Sequence, residues 1–345
     1  MSLEPLSARR GAATAVTAPS LPELAAVLNA GGPVLSRLLT ATEARLFEVA
    51  EAHGEALAGH AVSTLGAGGK RLRPMLVFLC AGSGEEAPLV RAGAAVELVH
   101  MATLVHDDVL DRATLRRGRP TVFVEGGRGA ATATGDLLFS RAFAELVPTG
   151  SVEALRVLSN AGSALVHGEL MQRADAWTAS VSPERYLERC ELKTARLFEA
   201  ACRLGALLGD RAATQAEEPL ARFGARVGLA FQILDDVLDV SGPPERTGKQ
   251  RGADLLDGTV TLPLILARAR DPDIRDLDLR TSVTGPDEAE ALCERIAATG
   301  ALGAARRQAL AYVAEAKEAL SGAGLDPGRR QALDLVADGV VARYA

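Results

Sequence analysis

From Leu21 onward, stretches of 15 to 25 residues rich in Ala, Leu, Arg and Glu recur between short breaks carrying Gly or Pro, such as AGSGEEAP at 81–88, VPTGS at 147–151 and SVSP at 180–183. Within them the apolar positions fall three and four apart, as at Tyr186, Leu187, Cys190, Leu192, Leu197 and Phe198. That spacing lines one face of an α-helix. Sustained alternation of β-branched residues, the mark of a strand, is nearly absent. The pattern predicts an all-α protein built as one large helical bundle. Two longer breaks, RATLRRGRPTVFVEGGRG at 112–129 and SGPPERTGKQRGADLLDG at 241–258, are polar and charged. Loops of that length are uncommon in compact helical domains and are often functional.

A chain of 345 residues invites a division into two domains. No linker composition supports one, so residues 21–345 read as a single domain and residues 1–20 as a flexible tail. The tail carries Arg9 and Arg10, but the apolar core of an export signal does not follow them. Hydrophobic residues make up 48% and aromatic residues 3%, so the core must be mostly aliphatic. A formal charge of −6 argues against a dedicated nucleic-acid binder. No run of about 18 apolar residues is visible, and no membrane insertion is expected. Cys80, Cys190, Cys202 and Cys293 lie far apart with no CxxC pair. Neither a zinc knot nor a disulfide framework is readable, which suits a reducing cytoplasm.

The chemistry-bearing signal is a pentapeptide that occurs twice. DDVLD stands at 107–111 and again at 235–239, each time closing an apolar helical stretch and preceding one of the two charged breaks. On a helix, Asp107 and Asp111 project about 40° apart and roughly 6 Å along the axis, with Asp108 on the flank. In the second copy Gln232, Asp235, Asp236 and Asp239 share a sector of about 100°, and Phe231, Leu234 and Leu238 are expected to point away. One such acidic row reads most simply as a solvated helix face. Two are harder to dismiss, because a pair of carboxylates about 6 Å apart costs on the order of 3 kcal/mol at an effective dielectric near 20. Holding hard cations would offset that repulsion, and Mg²⁺, which is commonly shared between a few carboxylates and substrate phosphates, is the leading candidate.

Cations that could meet a phosphorylated substrate occur at four places. GGKRLRP at 68–74 supplies Lys70, Arg71 and Arg73; Arg116 and Arg117 open the first charged break; Lys193-Thr194 lies within a helical stretch; Lys249 lies in the second break. Each alone reads equally well as surface charge, and Lys193 has Glu188 and Glu199 within reach as partners. GAGGKR is not a nucleotide-binding P-loop, since Thr64 and Arg71 stand where that pattern needs Gly and Ser or Thr. His100 falls within about 20° of Asp107 and Asp111 on the same helix face.

GGKRLRP, HMATLVHDDVLD, RRGRPT, GDLLFSRAF, KTA, FQILDDVLD and GKQRGADL, in that order between about residues 60 and 265, resemble the trans-isoprenyl diphosphate synthases of the polyprenyl synthetase family. The resemblance implies the isoprenoid synthase fold, a bundle around a central cavity with the two DDxxD helices facing each other, usually as a homodimer. It implies Mg²⁺-dependent head-to-tail condensation of isopentenyl diphosphate with an allylic diphosphate. It assigns Asp107, Asp108, Asp111, Asp235, Asp236 and Asp239 to the metals, with Asp107, Asp111, Asp235 and Lys193 at the chemistry. Lys70, Arg73, His100 and Arg117 would hold isopentenyl diphosphate; Arg116, Lys193, Thr194, Gln232 and Lys249 would face the allylic one. The family often carries a further lysine where this chain has Thr259, so one allylic-diphosphate contact is expected to be missing. Val99, Ala102 and Thr103 are expected at the cavity floor. The small side chains at 102 and 103 point to a long-chain product, with a geranylgeranyl synthase as the alternative. A non-catalytic subunit is a further alternative, disfavoured because both acidic rows are complete.

Overall fold

The computed structural model describes residues 22–52, 55–66, 69–178, 180–242 and 251–342. The expected N-terminal tail and Lys249 lie outside the described residues. The helices are α1 (Pro22–Glu51), α2 (Glu55–Gly66), α3 (Leu72–Ala81), α4 (Glu86–Leu110), α5 (Val122–Leu146), α6 (Val152–Asp175), α7 (Pro183–Cys190) and α8 (Arg196–Leu208). There follow α9 (Arg211–Gln215), α10 (Glu217–Ser241), α11 (Ala253–Leu256), α12 (Leu262–Arg268), α13 (Pro272–Arg275), α14 (Leu279–Ser282), α15 (Pro286–Ala298), α16 (Ala301–Ala319) and α17 (Pro327–Ala342).

Helix starts are set by local chemistry. Thr121, Ser151, Ser182 and Asp210 each accept a hydrogen bond from a backbone N–H in the first turn of α5, α6, α7 and α9. The first charged break is therefore shorter than its composition suggested. Leu115–Arg116 pairs antiparallel with Arg119–Pro120 in a two-stranded hairpin, and helix resumes at Val122. A kink at Gly127, whose φ of 74° lies in the left-handed region, divides α5.

The core is aliphatic, and among the described residues Tyr186, Phe198 and Phe223 are its largest fully buried aromatic side chains. Helix α4 packs along α5 and against α1, α3 and α8, while α10 packs on α8 and α16. Helix α8 thus lies between α3 and α10, and glycines permit the close approach. A Cβ at Gly205 would sit 2.2 Å from the carbonyl oxygen of Val77 on α3, and one at Gly228 of α10 would sit 2.6 Å from Cα of Ala195. These contacts draw the ends of α4 and α10 around one hollow.

Among the described residues two helices, Glu23–Glu51 and Glu86–Leu110, are long and apolar enough to cross a membrane by length and composition. This corrects the reading of the sequence, which sought uninterrupted apolar runs, whereas an average tolerates scattered polar residues. In Glu86–Leu110 most of the apolar window is buried inside the protein, as a central bundle helix requires. Gly205→Ala is expected to destabilise the fold by about 1–3 kcal/mol through overpacking against α3, measured as a fall in the denaturant midpoint.

Candidate active site

The two acidic rows open onto the same space. Asp107 of α4, Asp111 capping the C-terminal end of that helix, and Gln232, Asp235 and Asp236 from α10 line a cavity of about 240 Å³, together with Arg73 of α3, His100, Thr103, Arg116, Lys193 and Thr194. Leu104, Leu165, Leu197 and Phe231 supply apolar wall. Phe231, expected to point away from the acids, is therefore part of the site, because neighbouring helices wrap around the flank of α10.

The remaining acids of each row stand outside the cavity wall. Asp108 is buried outside the cavity wall and accepts a hydrogen bond from Nε of Arg116 at 2.7 Å. Asp239 also lies outside the wall, and its Oδ2 accepts from the backbone N–H of Asp254 at 3.3 Å. That bond holds the turn bringing Asp254 and Thr259 into the lining. Lys70 lines a separate, smaller apolar pocket with Leu72, Met75, Phe231 and Val336. Arg117 sits in the hairpin at φ 51° and lines a pocket with Asp108, Arg116 and Arg119. Of the three positions expected at the floor, Thr103 lines the cavity, whereas Val99 and Ala102 are fully buried and stand outside its wall.

Lys193 and Thr194 lie in a π-helical turn, Glu191–Ala195, that joins α7 to α8. Such turns often mark functional positions in helices. Lys193 bonds Glu169 of α6 at 2.5 Å, not the nearby glutamates suggested by sequence distance. Glu169 also accepts from Nε of Arg173, whose other end reaches Asp111. A second chain runs from Thr194 to Gln232 (2.7 Å), from Gln232 to Asp236 (2.7 Å), and from the buried Tyr186 hydroxyl to Asp236 (2.6 Å). Glu169, Gln172, Arg173, Tyr186, Arg189 and Asp254 were not foreseen as site residues. GELMQ at 168–172, two polar residues in an apolar helix one turn apart, was the available signal for α6.

The electrostatics follow from burial. Asp107 is pushed up to about 6 by desolvation, with Lys193 opposing. Asp236 is pushed up to about 8 by desolvation and then by the negative charge of Asp254. Burial holds His100 well below the usual imidazole range, reinforced by Arg73 and Arg117, so it is neutral at pH 7. Burial also lowers Arg73 to about 10; its guanidinium stands 4.5 Å over the Phe198 ring, and its Nε has no hydrogen-bond partner. Arg71 anchors this corner from a left-handed backbone conformation, bonding Glu43 of α1 and Glu97 of α4, each at 2.8 Å. A cavity lined by both acids and unsatisfied cations fits a polyanion carried with divalent metal.

The polyprenyl synthetase family matches residues 55–298, which include every lining residue of the cavity. The chain belongs to the polyprenyl synthetase family. It is 41% identical over 239 residues to the heptaprenyl diphosphate synthase component 2 of Geobacillus stearothermophilus, covering 68% of this chain and 73% of that one. It is 38% identical over 262 residues to the geranylgeranyl diphosphate synthase of Methanosarcina mazei, covering 74% and 80%. A crystal structure of a Caulobacter crescentus polyprenyl synthase complexed with calcium and isoprenyl diphosphate superposes with a TM-score of 0.83 at 34% identity, over 94% of this chain and 98% of that one. The protein is an enzyme of prenyl transfer, all-α in fold.

In this synthase the position of Lys193 depends on a glycine. A Cβ at Gly168 would lie 2.5 Å from the backbone nitrogen of Lys193, so α6 and the π-helical turn are in direct backbone contact. Gly168→Ala is expected to displace Lys193 and lower kcat/KM for the allylic substrate on the order of 10- to 100-fold, with the melting temperature reporting separately on stability.

Proposed function

We propose that this synthase, with Mg²⁺ bound, condenses isopentenyl diphosphate head-to-tail with an allylic diphosphate and extends it to a long-chain all-trans polyprenyl diphosphate. The observation that carries this reading is the convergence of both aspartate rows and the cations Arg73, Arg116 and Lys193 on one partly apolar cavity. The donor set suits Mg²⁺. Burial and neighbouring negative charge strain Asp107 and Asp236, a strain that a bound cation would relieve. An ion there would share its coordination with waters and diphosphate oxygens, as Mg²⁺ commonly does. Asp107, Asp111, Asp235 and Asp236 would hold it.

Lys193, Thr194 and Gln232 face the allylic diphosphate, and Arg73 with neutral His100 faces the isopentenyl diphosphate. Bound Mg²⁺ would supply positive charge to the departing diphosphate. The C–O bond of the allylic substrate breaks with its electron pair leaving on diphosphate, and Lys193 stabilises the charge that develops there. The double bond of isopentenyl diphosphate attacks the allylic cation, and a proton then passes to the released diphosphate. Leu104, Leu165, Leu197 and Phe231 keep water from the cation.

Assembly as a homodimer is supported by α6. Val152, Val166 and Leu170 are all more than half exposed. They fall within about 40° of one another, on a stripe of α6 turned away from Leu165 and Gln172. The heteromeric alternative takes support from the similarity to a protein named as a component of a synthase. Four unpaired, buried cysteines suit the cytoplasm.

Purified protein with Mg²⁺, isopentenyl diphosphate and a panel of allylic diphosphates is expected to elongate at least one primer, and a chelator is expected to abolish turnover. Absence of elongation by folded protein would instead favour the subunit reading. Asp107→Asn or Asp235→Asn is expected to lower kcat by roughly 10²-fold or more. Because Thr103 alone of the three floor positions faces the cavity, Thr103→Phe is expected to shorten the product distribution, read by chromatographic sizing.

A further inference from the structure

Arg189 is a buried cation to which nothing above gives a role. It lies at the C-terminal end of α7, is 3% exposed, and forms part of the cavity wall beside Asp236, Asp254 and Thr259. Its Nη2 donates to the carbonyl oxygen of Val260 at 2.6 Å, which places the guanidinium next to Thr259. Its Nη1 is buried without a hydrogen-bond partner. Nη1 faces the buried carboxylate of Asp175, whose Oδ1 accepts from Arg185 at 2.6 Å; its Oδ2, itself without a hydrogen bond, stands 3.6 Å from Nη1, an ion pair too long for a hydrogen bond. The ion pair with Asp175 offsets part of its charge, and the N–H that still lacks an acceptor is one an arriving anion would satisfy.

Thr259 is the uncharged residue at which the resemblance predicted one cationic contact to be lost. Arg189 reaches the same wall from a different helix. We infer that Arg189 is an additional diphosphate-binding residue that supplies, from α7, the positive charge Thr259 lacks. The proposal rests on the prenyl-transfer reading of the cavity and concerns its allylic side, because Arg189 stands over the ring of Tyr186, whose hydroxyl bonds Asp236 in the chain with Gln232 and Thr194.

Arg189→Gln removes the charge and keeps an N–H able to reach the Val260 carbonyl. The variant is expected to bind an unreactive allylic thiolodiphosphate with Mg²⁺ about tenfold or more weaker by calorimetry, and to raise KM for the allylic substrate similarly. KM for isopentenyl diphosphate should stay within twofold. Adding Thr259→Lys to Arg189→Gln, which returns a charge to the same wall, is expected to recover most of the lost affinity. A purely packing role for Arg189 would not respond to that second change. Allylic affinity within twofold of wild type, equal losses for both substrates, or no recovery with Thr259→Lys would each overturn the proposal. Should Arg189→Gln melt out, Arg189→Lys decides: affinity within threefold of wild type supports the assignment, and a tenfold loss in a folded protein refutes it. Wild-type protein is assayed alongside; turnover by wild type with unaffected variants sinks this inference alone, and no turnover by wild type sinks the prenyl-transfer reading and this inference with it.

Discussion

Carboxylates that share a poorly solvated hollow cannot all stay ionised without countercharge. Asp107, Asp111, Asp235, Asp236 and Asp254 line one cavity, and burial drives Asp107 and Asp236 to hold their protons well above the usual carboxylate range. The surrounding structure can be understood as managing this tension. Arg116 ties down Asp108, Arg173 meets Asp111, and Tyr186 with Gln232 fixes both oxygens of Asp236. What remains uncompensated is space for a ligand that brings its own metal.

Lys193 shows how the same economy places a cation. Burial alone would discourage its charge, yet Asp107 and Glu169 hold it protonated. Glu169 is in turn kept ionised, against its own burial, by Lys193 and Arg173. The ammonium is thus available and oriented before substrate arrives, which is the preorganisation that charge-separating chemistry rewards. The π-helical turn sets its direction, and Gly168 lets α6 press close enough to share the load.

Much of this was legible in the residues, for physical reasons. Helical periodicity is a strong signal in an aliphatic bundle, and a repeated DDVLD announces itself because acidic rows are costly to repeat. The family resemblance then ordered the cations. What the chain did not disclose was which flank of each helix would be enclosed. Phe231 was turned outward by an ideal projection, yet α8 and its neighbours make it wall. Val99 and Ala102 share a helix with Thr103 but belong to the packed core. Asp108 and Asp239 were grouped with their rows; one is bonded by Arg116 of the hairpin and the other by the first turn of α11. The α6 residues escaped notice because Glu169 and Gln172 are scattered singly among apolar neighbours, and only tertiary contact with the π-helical turn gives them meaning.

Arg71 ties the site to a part of the chain that the family match does not include. Its guanidinium is divided between Glu97 and Glu43, and Glu43 belongs to α1, upstream of residue 55 where the match begins. Trimming the protein to its recognisable region would leave a buried arginine short of one counterion, immediately beside Lys70 and Arg73. The working unit is therefore longer than the stretch the family model matches, and a version cut at that boundary would lose Glu43 from the substrate corner together with α1 and α16 from the packing around α4 and α10.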